Sequence, residues 1–418
     1  MKLTVVGAGS TYTPEVVDGL IRLRDLVQVD ELALCDVDER RLDVLTGMTR
    51  RMLDRAGHPA RVAPTLRLDE AVEGADVVLV QIRVGDQAAR MTDESLPLAC
   101  GCIGQETTGF GGLAKALRTV PVVLDIAERV RAGAPDAWIV DFTNPVGIVT
   151  KALLDAGHRA VGLCSAAMIF QRHFAKILEV EPDRLELDHL GLNHLTWEVG
   201  VRLDGRDVLP SLVGEHAARV APATGLPPEL IERLGTVPSY YLHYFYEHDA
   251  VVEHQREQGT RAQEVSEIER ELLEQYADAG LAEKPPLLQR RGGAGYSEAA
   301  VELIASLFGS AGEQRAVINL RNEGTLPFLA DDAVVEVPAL VRRDGVSPLP
   351  MPGVDAEIRG LIAHVSAYEE LALDAALHGG RERVFRALLA HPLVGQARLA
   401  DTLTDTMIDA NREFLAWA

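Results

Sequence analysis

Met1-Lys2-Leu3-Thr4-Val5-Val6-Gly7-Ala8-Gly9-Ser10 opens the chain, and Thr11-Tyr12-Thr13-Pro14-Glu15 follows directly. The apolar run Leu3–Val6 reads as a short buried strand, and the glycines ending it read as a tight turn. Thr13-Pro14-Glu15 suits a helix start, because proline is tolerated in a first turn and an acid there complements the helix dipole. Strand, glycine turn and helix in this order put unpaired N–H donors and a favourable dipole where a pyrophosphate can sit. Gly7, Gly9 and Ser10 are therefore candidate cofactor-binding residues. Tyr12 occupies the place of the usual third glycine, so on this fingerprint alone a purely structural turn stays open.

The same rhythm continues outward. Glu31–Cys35, Ala75–Ile82, Trp138–Phe142 and Ala160–Cys164 are further apolar runs, with a weaker one near Val62, and helical stretches separate them. The pattern predicts six parallel strands covered by helices on both faces, the doubly wound, Rossmann-like α/β arrangement. Asp36 ends the second strand, where a carboxylate accepts hydrogen bonds from ribose hydroxyls and repels a 2′-phosphate, which favours NAD over NADP. Asp38 and Glu39 beside it show that solvated loop acids are also common there. Beyond Gly191 the rhythm gives way to longer polar helices, one from about Val251 to Tyr276, and to connections such as Lys284-Pro285-Pro286. Residues near 315–342 read as strands, with Val334–Val337 the clearest, and two or three helices close the chain. The expected organisation is an NAD-binding domain over 1–165 and a second, α+β domain over 166–418 for substrate, metal and oligomerisation. The whole would be lactate/malate dehydrogenase-like.

Composition narrows the functional classes. The chain has 418 residues, 47% hydrophobic and 25% charged, enough to bury a large core. A net charge of -22 without any Lys/Arg-rich run opposes binding to nucleic acid or to an anionic membrane surface. No apolar stretch reaches the roughly 18–20 residues needed to span a bilayer. Met1 leads straight into a strand, leaving no room for an export signal, so a cytoplasmic location is expected. Cys35, Cys100, Cys102 and Cys164 show no CxxC spacing and are expected to be reduced.

Ligands of open α/β sheets bind beyond the carboxyl ends of strands. Arg83, Asn144 and Cys164 close the fourth, fifth and sixth runs. An arginine after so apolar a run meets an anion or escapes to solvent, since burying it unpaired is costly. Gly104-Gln105-Glu106-Thr107-Thr108-Gly109-Phe110-Gly111-Gly112 is a second glycine-rich loop carrying an acid, equally readable as a structural turn. These residues lead to a nucleotide-binding sheet with an anionic substrate nearby, and not to a reaction.

Six ordered segments resemble the family 4 glycoside hydrolases, the NAD- and divalent-metal-dependent 6-phospho-glycosidases. They are Gly7–Gly19, Ile82-Arg83-Val84-Gly85, the Gly104–Gly112 loop, Phe142–Gly147, Gly162-Leu163-Cys164 and Gly191-Leu192-Asn193-His194. In that family the third glycine is replaced as it is here. The resemblance implies cleavage by transient oxidation, an exception to the usual pair of carboxylates. NAD takes hydride from sugar C3, the ketone acidifies the C2 proton, elimination expels the aglycon, water adds, and the hydride returns. It further implies that Cys164 and His194 ligate a divalent metal, usually manganese, although a thiolate alone would suggest a softer ion such as zinc. Their separation is no metal motif, and the residues themselves read as a core thiol and a satisfied polar group. Tyr241, within Pro238-Ser239-Tyr240-Tyr241-Leu242-His243-Tyr244, matches the family's base, or belongs to an aromatic core cluster. Arg90, Asn144 and Arg261 match phosphosugar contacts, and Arg83, Asn193 and Arg291 are further candidate substrate-binding residues.

Arg291, with Tyr296-Ser297-Glu298, is similar to the 6-phospho-beta-glucosidase subgroup. The resemblance also implies a homodimer or homotetramer. Four positions depart from the family pattern: Ser165 stands where Asn or Asp is usual, Ala167 for Pro, His243 for Arg and Asp86 for Gly. Without an Asp at 165, activity on alpha linkages is not expected. An ordinary NAD-dependent sugar or hydroxyacid dehydrogenase is an alternative, as is a catalytically impaired member that binds sugar phosphate.

Overall fold

A computed structural model describes residues 1–292, 296–308 and 312–418, side chains at 296–298 excepted. Six strands run through the first half: β1 (Lys2–Val6), β2 (Glu31–Cys35), β3 (Arg61–Thr65), β4 (Val77–Val80), β5 (Trp138–Asp141) and β6 (Ala160–Gly162). All pair in parallel, in the spatial order β3-β2-β1-β4-β5-β6. This is the predicted doubly wound order, and it reverses between β1 and β4, where a crevice opens at the carboxyl ends. β4 is buried at all positions, as an unbroken Val-Val-Leu-Val run between two helical layers must be. β3 carries Pro64 and is half-exposed, which only an edge strand tolerates. Helix Glu39–Ala56 shows how local chemistry sets its ends. The Asp38 carboxylate accepts the Arg41 N–H, and Gly57 closes the helix in the left-handed region at φ 60°.

The second half adds β7 (Leu185–Leu192), β8 (Leu195–Leu203), β9 (Arg206–Asp207), β10 (Val237–Pro238), β11 (Gln314–Arg321), β12 (Val334–Arg342) and β13 (Gly345–Pro348). β11 joins β6 antiparallel through Asn319 and Gly162, and β12, β7, β8 and β10 continue outward in turn. The expected boundary at 165/166 falls just before helix Ala166–Leu178, but the sheet and the main apolar core run across it. Gly162 makes this junction possible, since a Cβ there would meet Thr150 Oγ1 at 2.2 Å.

Two expectations need correcting. The β7–β8 hairpin, Leu185–Leu192 and Leu195–Leu203, was not expected from the sequence pattern. The helix expected over Val251–Tyr276 is two helices, His248–Gln258 and Arg261–Ala277, because Gly259 breaks the run at φ 86°. Three helices close the chain, Ala356–His378, Arg381–Ala390 and Ala397–Asn411. Tyr276 ties the halves together: it is fully buried, and its hydroxyl donates to the Thr11 carbonyl at 3.0 Å. Among the described residues, no helix is long and apolar enough to cross a membrane.

Candidate active site

The carboxyl ends of β1, β2, β4 and β5 open onto a cleft of about 2240 Å³. Gly7, Gly9, Ser10 and Asp36 line it together. Gly7 holds φ 89°, and a Cβ there would meet the Gln81 carbonyl oxygen at 2.7 Å. Gly9 has no more room, since its Cβ would lie 2.8 Å from Asp36 Cγ. Asp36 Oδ2 accepts the Gly9 N–H at 2.7 Å, so the acid expected to meet a ribose also pins the glycine turn. Gln81 supports the turn from below, donating to the Gly7 carbonyl at 3.2 Å and to Thr13 Oγ1 at 3.0 Å.

Deeper in the same cleft lie Cys164, His194 and Tyr241. His194 is the second residue of the two-residue β7–β8 connection and holds φ 62°, a conformation histidine adopts more readily than most residues. Its ring stacks on Tyr241, with centroids 3.6 Å apart and planes within 10°. Its Nδ1 lies 2.7 Å from Thr107 Oγ1. Burial pushes the imidazole down to about 4. Burial pushes the Tyr241 phenol well above its ordinary value near 10, and negative charge at Cys164 adds to the rise. None of the four cysteines forms a disulfide. Among the described residues, no cluster of three or more His, Cys, Asp or Glu could hold a metal, so Cys164 and His194 would be a two-residue donor pair. Asn144 Oδ1 is buried in the cleft with no hydrogen-bond partner among the described residues, free to meet a ligand.

The arginines sort by partner. Arg83 meets an anion of the chain itself, Glu106, at 2.5 Å. Arg90 is buried, bonding Glu94 at 2.7 Å and facing Glu106 at 3.5 Å, while Lys115 reaches Glu106 at 2.7 Å. Burial would raise Glu106, but Arg83, Arg90 and Lys115 hold its carboxyl well below the usual carboxylate range. Burial pushes Lys115 down to about 7, and Arg83 adds to the fall. Arg291 donates to Glu269 at 2.8 Å and lies over the Tyr12 ring at 5.4 Å. Burial again opposes, yet Arg291 and Arg41 bring Glu269 to about 2. Arg261 is half-exposed at the rim, bonded to Glu264 and to the Arg290 carbonyl. Asn193 is not among the residues that line the cleft with its neighbour His194; its amide donates to buried Glu336 at 2.8 Å.

A profile described as family 4 glycosyl hydrolase matches residues 2–180, and one for the family 4 glycosyl hydrolase C-terminal domain matches 189–394. The chain belongs to the family 4 glycosyl hydrolases. The 6-phospho-beta-glucosidase of Escherichia coli is 36% identical over 99% of this chain and 96% of that one. The 6-phospho-beta glucosidase of Thermotoga maritima, solved with NAD and glucose-6-phosphate, superposes with a TM-score of 0.93 at 33% identity, over 99% of both chains. Solved with manganese, NAD+ and glucose-6-phosphate, it gives 0.91 at 32%, again over 99% of both. A malate dehydrogenase of Salinibacter ruber at TM-score 0.55 and 18% identity shares the fold alone, as expected of the overall architecture.

Within this family 4 chain the departures have defined surroundings. Ser165 is buried in the cleft ahead of helix Ala166–Leu178 and makes no side-chain cap. His243 is buried with Nδ1 against the Tyr240 carbonyl. Asp86 holds φ 53°, a conformation that glycine adopts without strain. The side chains of Tyr296-Ser297-Glu298, and Gly293 and Ala294 beside Arg291, lie outside the described residues. The sequence singles out Glu106 and Thr107 only as members of the glycine-rich loop, and Lys115 and Glu269 not at all. Lys115 left a trace, a lone charge in Leu113-Ala114-Lys115-Ala116-Leu117; Glu269 left none among the acids of its helix.

Proposed function

We propose that this chain hydrolyses 6-phospho-beta-glucosides with NAD and a divalent cation, manganese in the first instance. The observation that carries the reading is the stacking of His194 on Tyr241 in one cleft with Cys164, beyond the strand ends of a dinucleotide-type sheet. The residues fit both groups. The Gly7–Ser10 turn is held open where side chains would clash, and a thiolate with an imidazole suits a first-row transition metal. When bound, NAD supplies a reversible hydride acceptor and the cation a Lewis acid for the sugar's C2 and C3 oxygens. Tyr241 Oη takes the C2 proton once C3 is a ketone. Asn144 offers its unpartnered carbonyl to a sugar hydroxyl, and Arg83, Arg90, Arg261 and Arg291, all lining the cleft, are the phosphate contacts. The beta preference rests on the beta-specific relatives and on Ser165, which cannot act as a carboxylic acid. Work in the cytoplasm as a homodimer or homotetramer belongs to the same proposal.

The test is aglycon release from an aryl 6-phospho-beta-glucoside with and without NAD and Mn2+. Release that needs both, without net NADH, is expected. Stoichiometric NADH would instead indicate an ordinary dehydrogenase, and sugar-phosphate binding without turnover an impaired member. Gly9→Ala is a separate probe of the cofactor turn. Its methyl would press on Asp36 at 2.8 Å. A strain of about 1–3 kcal/mol, felt wholly in the cofactor-bound state, should raise the NAD dissociation constant about 5–150-fold, measured by fluorescence titration; an unchanged constant would place the dinucleotide elsewhere.

A further inference from the structure

The Gly104–Gly112 loop winds around one side-chain oxygen. Gln105 Oε1 accepts the Thr107 N–H at 2.5 Å and the Thr108 N–H at 2.9 Å. Two backbone donors converging on it identify that atom as oxygen and not the amide nitrogen. The loop's far end is held as well, with Gly109 N 3.0 Å from His391 Nε2. Thr107 Oγ1 then stands between two partners, Gln105 Oε1 at 2.8 Å and His194 Nδ1 at 2.7 Å.

A hydroxyl has a single proton to give. If Thr107 gave it to His194 Nδ1, its contact with Gln105 Oε1 would bring two oxygens to 2.8 Å with no hydrogen between them. If Thr107 donates to Gln105 Oε1, an oxygen that can only accept, His194 Nδ1–H donates to Thr107 and both contacts are hydrogen bonds. Only the second arrangement satisfies the geometry. With its proton on Nδ1, the ring keeps the Nε2 lone pair for another partner.

We infer that Thr107, oriented by Gln105, is a positioning residue that fixes His194 in the Nδ1–H tautomer and so presents Nε2 to a divalent cation. This rests on the reading that Cys164 and His194 hold that cation. A ligating imidazole is commonly oriented through its other nitrogen by a carboxylate, carbonyl or water, and loss of such a partner typically costs about 10–100-fold in metal affinity. Here a hydroxyl takes that role because the amide behind it consumes its proton. The carboxylates near His194 do not replace it: among the described residues the imidazole donates to neither Glu106 nor Glu336, which act on it only through charge.

Mn2+ binding to the full-length, NAD-loaded protein is measured by electron paramagnetic resonance titration. Thr107→Val is expected to raise the Mn2+ dissociation constant about 10–100-fold, with the NAD constant and thermal midpoint unchanged. Thr107→Ser, which restores the hydroxyl, is expected to return it near the wild-type value. His194→Ala separates the two layers. If it leaves Mn2+ affinity intact, the metal reading fails and this inference with it; if it abolishes binding while Thr107→Val does not weaken it, only the positioning role is overturned. Nitrogen-15 NMR of histidine-labelled wild-type protein, with His194 assigned by Gln substitution, reads the tautomer without a folding risk. A protonated Nε2 in the metal-free protein would overturn the inference directly.

Discussion

Tyr241→Phe is expected to lower kcat by about 10²–10⁴-fold, the usual contribution of one general acid–base group, while NAD and sugar-phosphate affinity stay near wild type. Phenylalanine keeps the ring that stacks on His194 at 3.6 Å and deletes only Oη. The loss therefore reports proton transfer and not packing. Burial holds the phenol well above its ordinary value, so little phenolate exists at neutral pH in the protein alone, and a nearby cation is what would favour it. The wild-type rate should consequently climb with pH along its acid limb, and that limb should vanish in the Phe variant, leaving a flat residual rate. Exchange of the C2 proton in deuterated water should be lost in parallel. Tyr244→Phe is the control: this neighbouring phenol, 6.4 Å away ring to ring, is half-buried and likewise raised by its surroundings, and its loss should change little. Full activity in Tyr241→Phe would remove the base from this position.

Much of this was legible in the sequence, for physical reasons that differ between the halves. β1 to β6 are sandwiched between helices, so each announces itself as an unbroken apolar run ended by a turn. β7 and β8 hide because their alternation is interrupted by function. Leu185-Glu186-Leu187-Asp188-His189-Leu190 alternates as a half-buried strand should, but its fifth residue is a fully buried histidine that reads as solvent-facing. In the site, Cys164, His194 and Tyr241 were found through resemblance, since residues this far apart carry no spacing signal. Their convergence comes from a sheet that brings the ends of β6 and β7 and the segment after β10 to one edge of the crevice. Arg83 was readable as a buried cation in search of an anion. That its anion is Glu106, shared with Arg90 and Lys115, is a tertiary fact. The partner of Asn193, Glu336, is a tertiary fact in the same way. The neighbour of Asn193, His194, faces the cleft, and successive residues at a hairpin tip need not point the same way.

The buried histidine hidden by that pattern should be among the most expensive to lose. His189 lies between two carboxylates, Nδ1 2.6 Å from Glu198 and Nε2 3.1 Å from Glu336, with all three side chains excluded from solvent. Glu336 takes two further hydrogen bonds, from Asn193 at 2.8 Å and Asn319 at 3.0 Å. His189→Gln removes the central cation and is expected to destabilise the fold by about 3–5 kcal/mol, the usual cost of leaving a buried charge uncompensated. Burial alone would lower the imidazole, but Glu198 and Glu336 raise it to about 10. Its folded value thus exceeds the ordinary 6.5. The stabilisation is full below about 6.5 and is lost as pH rises through about 10. Glu336 behaves oppositely. Burial pushes it up, but His189 and Asn193 hold it below its ordinary value, so its contribution is lost as pH falls through that lowered value. Urea denaturation of wild type and His189→Gln across this range should show a gap that is widest near pH 6 and narrows toward pH 10. An equal gap at both ends, or none, would mean that His189 is neutral in the folded protein. Because Asn193 links this network to the turn bearing His194, the variant should also bind Mn2+ more weakly than its residual folded fraction accounts for. Stability and metal affinity would then fall together from a residue that lines no part of the cleft.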